Sequence, residues 1–215
     1  MKIVAINGSP RIGWNTSALV QEAAKGAQAK GAEVELFDLY KLDKFTGCIS
    51  CFACKLSPNA GKCVCRDGLA PVLEAIRNAD GLILGSPNYL GDVSAGFRSL
   101  YERLIFQSLT YKNKPRSYNN KKIPVLMIMT SNADKAYYSQ IGYDTMLKGY
   151  QQTLSTFIGN TKLLIAGNTK QVKDYSRFDW SMFDTKAKDE RHKTIFPNEL
   201  KEAYDTGMRM ITSPW

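Results

Sequence analysis

The sequence predicts an α/β fold in which a parallel sheet is covered on both faces by helices. Short apolar runs alternate along the chain with segments in which apolar residues recur at helical spacing. Four of the five runs are continuously apolar, which is typical of strands buried on both faces. Because no linker and no internal repeat interrupts this pattern, we predict a single domain over residues 1–215.

The predicted elements follow one another in a simple order. Apolar runs place the five strands at residues 3–6, 34–37, 81–84, 123–129 and 163–166. Helical spacing of apolar residues places helices at residues 15–30, 68–78, 95–108, 144–158 and 198–211. Residues 38–67 lack a sustained period and are expected to form a cysteine-rich insertion. Residues 167–215 are expected to form an irregular tail that closes with the last helix.

Composition excludes several classes of protein. Hydrophobic residues make up 44% of the 215 residues and charged residues 23%, which is the composition of a globular chain rather than a disordered one. No apolar run approaches the ~20 residues that a membrane helix needs. The apolar stretch that follows Lys2 is also shorter than the ~7–15 residues of a signal-peptide core. We therefore expect a cytoplasmic protein without a membrane partner.

The formal net charge is +9, and one stretch without acidic residues contributes Lys112, Lys114, Arg116, Lys121 and Lys122. A solvated basic loop explains this stretch better than a nucleic-acid surface does, because no nucleic-acid-binding motif accompanies it. We expect no nucleic-acid partner. The one histidine of the sequence, His192, lies in a charged segment and is expected to be a solvated surface residue.

A polar loop over residues 7–17 leads from the first predicted strand into the first predicted helix. Unpaired backbone N–H groups and the helix dipole make such a junction a natural anion site. Asn15 is predicted to cap the helix, Thr16 and Ser17 offer hydroxyl donors, and Arg11 can add a charge-assisted hydrogen bond. The loop therefore suits a terminal phosphate.

Two other phosphate loops are excluded by the residues themselves. Gly8 and Gly13 have the G-x-x-x-x-G spacing, but Trp14 and Asn15 follow where a nucleotide triphosphatase requires Lys and Ser or Thr. A G-x-G-x-x-G dinucleotide fingerprint is absent as well. The remaining alternative to a phosphate site is a polar turn with an ordinary helix cap.

The five cysteines all lie within an 18-residue window, as Cys48-x2-Cys51-x2-Cys54-x8-Cys63-x1-Cys65. In a cytoplasmic chain they do not indicate a disulfide framework. Three cysteines at x2 intervals can converge on one inorganic cluster, and four thiolates also suit a structural zinc ion. From the residues alone, an iron–sulfur cluster, zinc, and free or oxidised thiols all stay open.

Three sets of residues carry a family resemblance. Gly8-Ser9-Pro10-Arg11 followed by Asn15-Thr16-Ser17 resembles the phosphate loop of the flavodoxin-like NAD(P)H-dependent FMN reductases. Residues 85–89 and 91–95 resemble the second flavin loop of that family. Residues 168–176 and 191–197 resemble its C-terminal segment. Together the three sets cover most of the chain in the expected order.

The resemblance implies a flavodoxin-like three-layer sandwich with a five-stranded parallel sheet in the order 2-1-3-4-5. FMN is then expected at the carboxyl ends of strands one, three and four, where the switch-point rule also places a ligand. Carried over by position, the phosphate-binding residues are Ser9, Arg11, Asn15, Thr16 and Ser17. The residues that border the flavin ring are Ser86, Pro87, Asn88, Tyr89, Leu90 and Gly91, with Thr130 and Ser131 at its other edge.

The cysteine spacing also resembles the compact motif of iron–sulfur flavoproteins, in which three such cysteines and a fourth ligate a [4Fe–4S] cluster. By that resemblance the ligands are Cys48, Cys51, Cys54 and Cys63. The eight-residue gap before Cys63 is slightly longer than the usual gap of that family.

Taken together, these features predict an FMN-dependent oxidoreductase that takes hydride from NAD(P)H and passes electrons to a flavin, a quinone or another acceptor. The chemistry would belong to the cofactor, so no catalytic side chain is predicted. The alternatives are an iron–sulfur flavoprotein that carries electrons between protein partners, and a non-catalytic module that uses the fold alone. Relatives with a shared flavin pocket suggest a homodimer or homotetramer.

Overall fold

The computed structural model describes residues 1–213 and residue 215. Five parallel strands form one sheet in the order β2-β1-β3-β5-β6, and a short β4 pairs antiparallel with β3. The strands are β1 Lys2–Asn7, β2 Glu33–Asp38, β3 Gly81–Tyr89, β4 Asp92–Val93, β5 Val125–Thr130 and β6 Thr161–Ala166. The predicted flavodoxin-like sheet is therefore confirmed, with β4 as an addition.

Helices cover both faces of the sheet: α1 Asn15–Ala29, α2 Ala70–Arg77, α3 Ala95–Ser108, α4 Tyr143–Phe157, α5 Thr185–Thr194 and α6 Phe196–Thr212. One hydrophobic core lies between the sheet and α2, α3 and α4, and a second lies between the sheet and α1 and α6. Alternate residues of β1 enter each core, with Val4 and Ile6 in the first and Ile3 and Ala5 in the second. This two-sided burial explains why the central strands are continuously apolar. No helix of the described residues is both long enough and apolar enough to cross a membrane.

Two features differ from the sequence-based expectations. The third strand does not end before Gly85 but continues to Tyr89, because Ser86 and Pro87 pair with β5 while Asn88 and Tyr89 pair with β4. The tail is not irregular up to residue 198, since α5 forms within it. On that helix His192 is half-buried and stacks on Phe196 with the ring centres 5.0 Å apart, and this burial lowers its pKa.

Helices α1 and α6 pack with their backbones in direct contact. A Cβ atom built on Gly207 of α6 would lie 1.9 Å from the carbonyl oxygen of Ala23, and one built on Gly26 of α1 would lie 1.9 Å from that of Tyr204. Only glycine fits at both points of this crossing. The contact holds α1 against the sheet and thereby fixes the loop from which α1 starts.

The carboxyl ends of β1 and β3 are tied together by hydrogen bonds. The Gly8 N–H donates to the Gly85 carbonyl at 2.7 Å. Ser94, which caps α3, donates its hydroxyl to the Gly8 carbonyl at 2.5 Å. Its backbone N–H donates to the Ser86 hydroxyl at 2.9 Å. These bonds bring the loops after β1 and β3 to one edge of the sheet.

Candidate functional site

The loop between β1 and α1 is held by its own side chains. The hydroxyl of Ser9 accepts from the Arg11 N–H at 3.1 Å, and the hydroxyl of Ser17 accepts from the Gly13 N–H at 3.1 Å. The sequence-based choice of Asn15 as the cap of α1 is wrong, because the cap position belongs to Trp14, which makes no side-chain capping bond. The first turn of α1 therefore has no side-chain cap, which suits it to an anion.

Asn15 and Thr16, the first residues of α1, instead connect the helix to neighbouring loops. The Asn15 side-chain amide donates to the Lys170 carbonyl in the loop after β6, at 2.7 Å. The hydroxyl of Thr16 lies 2.7 Å from that of Thr130 at the end of β5, and both residues are buried. Helix α1 is thus linked at its first turn to the end of β5 and to the loop after β6.

A cavity of about 230 Å³ opens at this edge of the sheet, and we call it the phosphate-loop cavity. Most of the residues predicted to bind a cofactor line it, namely Ser9, Arg11, Asn15, Thr16, Pro87, Asn88, Tyr89, Thr130 and Ser131. The other predicted residues lie close by. Ser17 is buried in the first turn of α1, Ser86 holds the Ser94 N–H, and Leu90 lies fully exposed beside Gly91.

The turn between β3 and β4 presents the predicted ring-binding residues. Leu90 and Gly91 have φ values of 55° and 91°, which is the geometry of a tight two-residue hairpin turn. The Asn88 side-chain oxygen accepts from the Gly91 N–H at 3.0 Å. The Asn88 side-chain nitrogen, however, is buried and has no hydrogen-bond partner among the described residues. A buried amide donor without a partner on the wall of a cavity points to a polar ligand there.

The hairpin is anchored to the helices behind it. Tyr150 of α4 donates its hydroxyl to the Asp92 carboxylate at 2.5 Å and accepts from Arg98 of α3 at 3.0 Å. Burial, together with the bond to Asp92, raises the pKa of Tyr150 above its ordinary value. The phenol therefore stays protonated and keeps donating to the hairpin at neutral pH.

All five cysteines line one further pocket, which we call the cysteine pocket; the other residues around it include Gly47, Phe52, Arg103, Phe106 and Gln107. None of the five is in a disulfide. No group of three or more His, Cys, Asp or Glu side chains in the described part of the chain is arranged to hold a single metal ion. The pocket shares no lining residue with the phosphate-loop cavity.

Cations border the cysteine pocket. Lys55 donates to the carbonyls of Phe106 and Leu109 and lies next to the buried Cys54. Burial raises the pKa of Cys54, and Lys55 opposes that shift. Arg103 also lines the pocket and lies close to Cys63. Positive charge at these points would favour an anionic group held by the thiolates.

Comparison with known proteins decides the family. The family profile described as NADPH-dependent FMN reductase matches residues 1–140. The chain belongs to this family.

Within this FMN reductase family the chain is similar to iron–sulfur flavoproteins. It is 41% identical over 103 residues to one from Methanocaldococcus jannaschii, an alignment that covers 48% of this chain and 51% of the relative. It is 31% identical over 117 residues to one from Methanosarcina thermophila, covering 53% and 59%. The chain thus matches about half the length of these curated relatives.

Solved structures agree on the fold. The NAD(P)H:quinone oxidoreductase from Methanothermobacter marburgensis superimposes with a TM-score of 0.73 at 14% identity and covers 98% of both chains. An azoreductase from Bacillus anthracis superimposes with a TM-score of 0.67 at 12% identity, over 97% of this chain and 99% of the other. At such low identity the likeness shows that this chain has their flavodoxin-like fold.

Five residues that line the phosphate-loop cavity of this FMN reductase family member were not predicted from the sequence: Trp14, Asn132, Thr169, Lys170 and Gln171. Trp14 stacks under the Arg11 guanidinium, whose carbon lies 3.8 Å from a ring centre of Trp14. The loop after β6 reaches the site because Thr169 bonds to the Ser131 carbonyl through both its N–H and its hydroxyl. Thr169, Lys170 and Gln171 all lie in the segment 168–176 that carries a family resemblance, but the sequence did not single out any of the three as a binding residue.

Proposed function

We propose that this protein is an FMN-dependent oxidoreductase that takes hydride from NAD(P)H and passes electrons to a flavin, a quinone or another acceptor. The observation that carries the proposal is the phosphate-loop cavity. The N-terminus of α1, which has no side-chain cap, borders this cavity at the carboxyl edge of the sheet. The buried side-chain nitrogen of Asn88, which has no hydrogen-bond partner among the described residues, belongs to a residue that lines the same cavity. The free N–H groups of the α1 N-terminus suit a phosphate, and the Asn88 side-chain nitrogen can donate to the polar edge of a flavin ring.

The chain's own residues would bind and orient the cofactor. Ser9, Arg11, Asn15, Thr16 and Ser17 would hold the phosphate, directly or by fixing the backbone of their loop. Residues 86–91 would border one edge of the ring, and Thr130 and Ser131 the other. FMN, when bound, supplies the hydride-accepting and electron-transferring chemistry.

Thr16→Val tests the phosphate site. The valine keeps the volume of the threonine, which lines the cavity, but removes the hydroxyl that lies 2.7 Å from that of Thr130. A hydrogen bond to a charged group contributes ~1.5–3 kcal/mol, so FMN affinity should fall about tenfold or more. Titration of the flavin-free protein with FMN, followed by flavin fluorescence, measures the change.

Thr156→Val is the matched control, because Thr156 lies exposed on α4 and donates only to the Gln152 carbonyl. It should bind FMN as the original protein does. Equal FMN affinity in both variants would show that the phosphate lies elsewhere. Failure of FMN-loaded protein to oxidise either NADPH or NADH in the presence of a quinone would contradict the proposed activity.

The cysteine pocket favours a second candidate function, an iron–sulfur flavoprotein that carries electrons between protein partners. We propose that Cys48, Cys51, Cys54 and Cys63 ligate a [4Fe–4S] cluster. Support comes from the convergence of all five cysteines on one pocket with Lys55 and Arg103 beside it. A cluster spreads its thiolate ligands over several iron atoms, whereas zinc requires all four on one ion.

Cys63→Ser should lose the cluster, whereas Cys65→Ser should retain it. The Cys65 sulfur is already engaged, since it lies 3.7 Å from the Asp67 carboxylate as a hydrogen-bond donor. Anaerobic purification followed by iron and sulfide analysis should find about four irons per chain in the original protein and in Cys65→Ser. Absence of iron after anaerobic reconstitution would leave a flavin-only reductase. Stoichiometric zinc without sulfide would show instead that the cysteines form a structural zinc site.

We also propose a cytoplasmic homodimer or homotetramer. Two large apolar side chains, Leu90 and Met182, line a second cavity that adjoins the phosphate-loop cavity, and they are 104% and 91% exposed. A second subunit that covers them would remove apolar surface from water. Sedimentation analysis of the FMN-loaded protein would measure the size, and a monomer at micromolar concentration would contradict the proposed assembly.

A further inference from the structure

One cavity of the molecule has no role in the proposed function. It lies at the amino edge of the sheet, opposite the phosphate-loop cavity, because its wall includes Ala79 just before β3 and Ile123 just before β5. Its volume is about 270 Å³, and we call it the amino-edge cavity. It shares no lining residue with the phosphate-loop cavity or with the cavity that adjoins it. A ligand in the amino-edge cavity would therefore be separate from the flavin.

The cavity is bounded by two segments that lie outside the regular strands and helices. The cysteine-rich segment contributes Ala60 and Gly61, and the loop between α3 and β5 contributes residues 118–121. The two segments touch, since a Cβ built on Gly61 would lie 2.8 Å from the Cβ of Tyr118. Gly61 also has a φ of 80°, so glycine suits this position in both shape and conformation.

Hydrogen bonds to the backbone fix the polar side of the wall. The Gln107 side-chain oxygen accepts from the Cys63 N–H at 3.0 Å, which leaves the amide nitrogen of Gln107 as the end that can donate to a ligand. The Asn119 side-chain nitrogen donates to the Phe157 carbonyl at 3.2 Å. Walls that are held in place before binding lower the ordering cost of taking up a ligand.

The charged residues in the wall are both cations, since no Asp or Glu of residues 1–213 or residue 215 lines the cavity. The first cation, Arg77, lies at the end of α2 and is 3.9 Å from Glu74, a long ion pair. Glu74 is also held by Lys62, at 3.4 Å. Because a guanidinium carries five N–H donors in a planar fork, Arg77 can still bind a carboxylate with two parallel hydrogen bonds.

Lys121 is the second cation. Its ammonium group donates to the Ala79 carbonyl at 3.1 Å and to the Asp80 carboxylate at 2.5 Å. An ammonium has three donors, so a third stays available to a ligand. Asp80 also accepts from the Lys2 N–H at 2.8 Å, so this carboxylate is shared between the lysine and the backbone.

The opposite side of the wall is apolar and buried. Four large aliphatic side chains that line the cavity are no more than 5% exposed, namely Ile76, Leu104, Ile123 and Ile158. The side chains of Arg77 and Lys121 are 41% and 57% exposed, so the cations lie toward the mouth. An inorganic anion would leave the apolar side in contact with water, whereas an organic acid would cover it. Ligand pockets start at ~300 Å³, so the ligand is small.

We propose that the amino-edge cavity binds a small organic carboxylate, with the carboxylate at Arg77 and Lys121 and the apolar part against the buried aliphatic side chains. The proposal goes beyond the proposed function and depends on neither FMN nor a cluster. Because Gly61 lies in the wall and Gln107 holds the Cys63 N–H, the ligand would also hold the cysteine-rich segment against α3.

The first test compares benzoate with benzamide, which share a ring and differ in charge. Calorimetric titration of the FMN-loaded protein at pH 7 should show about fivefold or more tighter binding of benzoate, because the contact with the cations is partly exposed. In Arg77→Gln this preference should fall to within about twofold. Arg116→Gln makes the same change of charge at an exposed residue that does not line the cavity, and it should keep the full preference.

The second test replaces benzoate with acetate, which keeps the carboxylate and lacks the ring. Acetate should bind about tenfold or more weakly, because it leaves the apolar side of the cavity uncovered. Equal binding of acetate and benzoate, or of benzoate and benzamide, to the original protein would overturn the proposal. Release of FMN by benzoate, measured by absorbance, would place the compound in the flavin site and would overturn it as well.

The third test measures the hold on the cysteine-rich segment through alkylation of the buried Cys54 in metal-free, FMN-loaded protein. At ten times its Kd, benzoate should slow the alkylation by about tenfold where exposure of Cys54 requires release of the ligand. The same benzoate concentration should slow it less in Arg77→Gln. An unchanged rate in the original protein would contradict the hold on the segment. A protein that cannot be loaded with FMN contradicts the proposed function alone, since benzoate titration of the flavin-free protein still tests the amino-edge cavity.

Discussion

Replacing Gly207 with alanine is expected to destabilise the protein by about 1–3 kcal/mol, although alanine favours a helix more than glycine does. The added Cβ would lie 1.9 Å from the Ala23 carbonyl oxygen, so α6 would have to move away from α1. Because α1 carries the first turn of the phosphate-loop cavity, the same change should also weaken FMN binding. Urea unfolding measures the first effect, and FMN titration the second.

Gly149→Ala is the matched control for this prediction. Gly149 lies in α4 and is exposed, and apart from its chain neighbours and the backbone of its own helix no described atom lies within 4 Å of the position that a Cβ would take. At this position the higher helix propensity of alanine should decide the outcome, and the free energy of unfolding should rise by about 0.5–1 kcal/mol. A similar gain from Gly207→Ala would show that α1 and α6 do not approach as closely as described.

The core elements were predictable because their signals are local. The strands of the sheet interior are apolar on both sides, and helices such as α3 repeat apolar residues at one face, so sequence spacing alone locates them. Helix α5 could not be found in this way. Its sequence is almost entirely polar, and its one buried side chain is a lysine that binds loop oxygens far away along the chain.

The candidate site likewise contains residues that local sequence signals locate and residues that only long-range contacts bring to it. Residues of the loop after β1 and of the turn after β3 follow their strands directly, so their place at the sheet edge follows from the order of the strands. Lys170 and Gln171 reach the phosphate-loop cavity because Thr169 is hydrogen-bonded to the Ser131 carbonyl and the Asn15 side chain to the Lys170 carbonyl. Such long-range pairing leaves no periodic trace in a single sequence. The capping role of Asn15 failed for a related reason, since its side chain bonds to the distant Lys170 carbonyl rather than to its own helix.

Arg103→Met is expected to destabilise the protein by about 3–5 kcal/mol, more than Gly207→Ala does. The Arg103 side chain is 1% exposed and holds three points of the cysteine-rich segment. It donates to both oxygens of Asp67 at 2.6 and 2.7 Å, to the Cys65 carbonyl at 3.0 Å and to the Thr46 carbonyl at 3.4 Å. Methionine fills much of the volume but leaves the Asp67 carboxylate without its cation.

Arg77→Met serves as the control, because Arg77 lies at the surface, 3.9 Å from Glu74, and its loss should cost no more than ~1 kcal/mol. Equal urea midpoints for the two variants would show that the Arg103 contacts do not hold the cysteine-rich segment. Lost order in that segment should also appear as faster alkylation of the buried Cys54 in Arg103→Met.

The cost of Arg103→Met should depend on pH in a defined direction. Burial by itself would raise the pKa of Asp67, but hydrogen bonds from Arg103 and from the N–H groups of Thr46 and Leu69 outweigh it, and the pKa lies below its ordinary value. A lowered pKa in the folded state stabilises the protein above the unfolded value of ~3.9, and this contribution is lost as pH falls through the folded value. The stability difference between the original protein and Arg103→Met should therefore be full at pH 7 and shrink below pH ~4, where Asp67 becomes protonated and no longer needs a cation. A difference that stays constant from pH 7 to pH ~3 would mean that Arg103 acts through packing rather than through its charge.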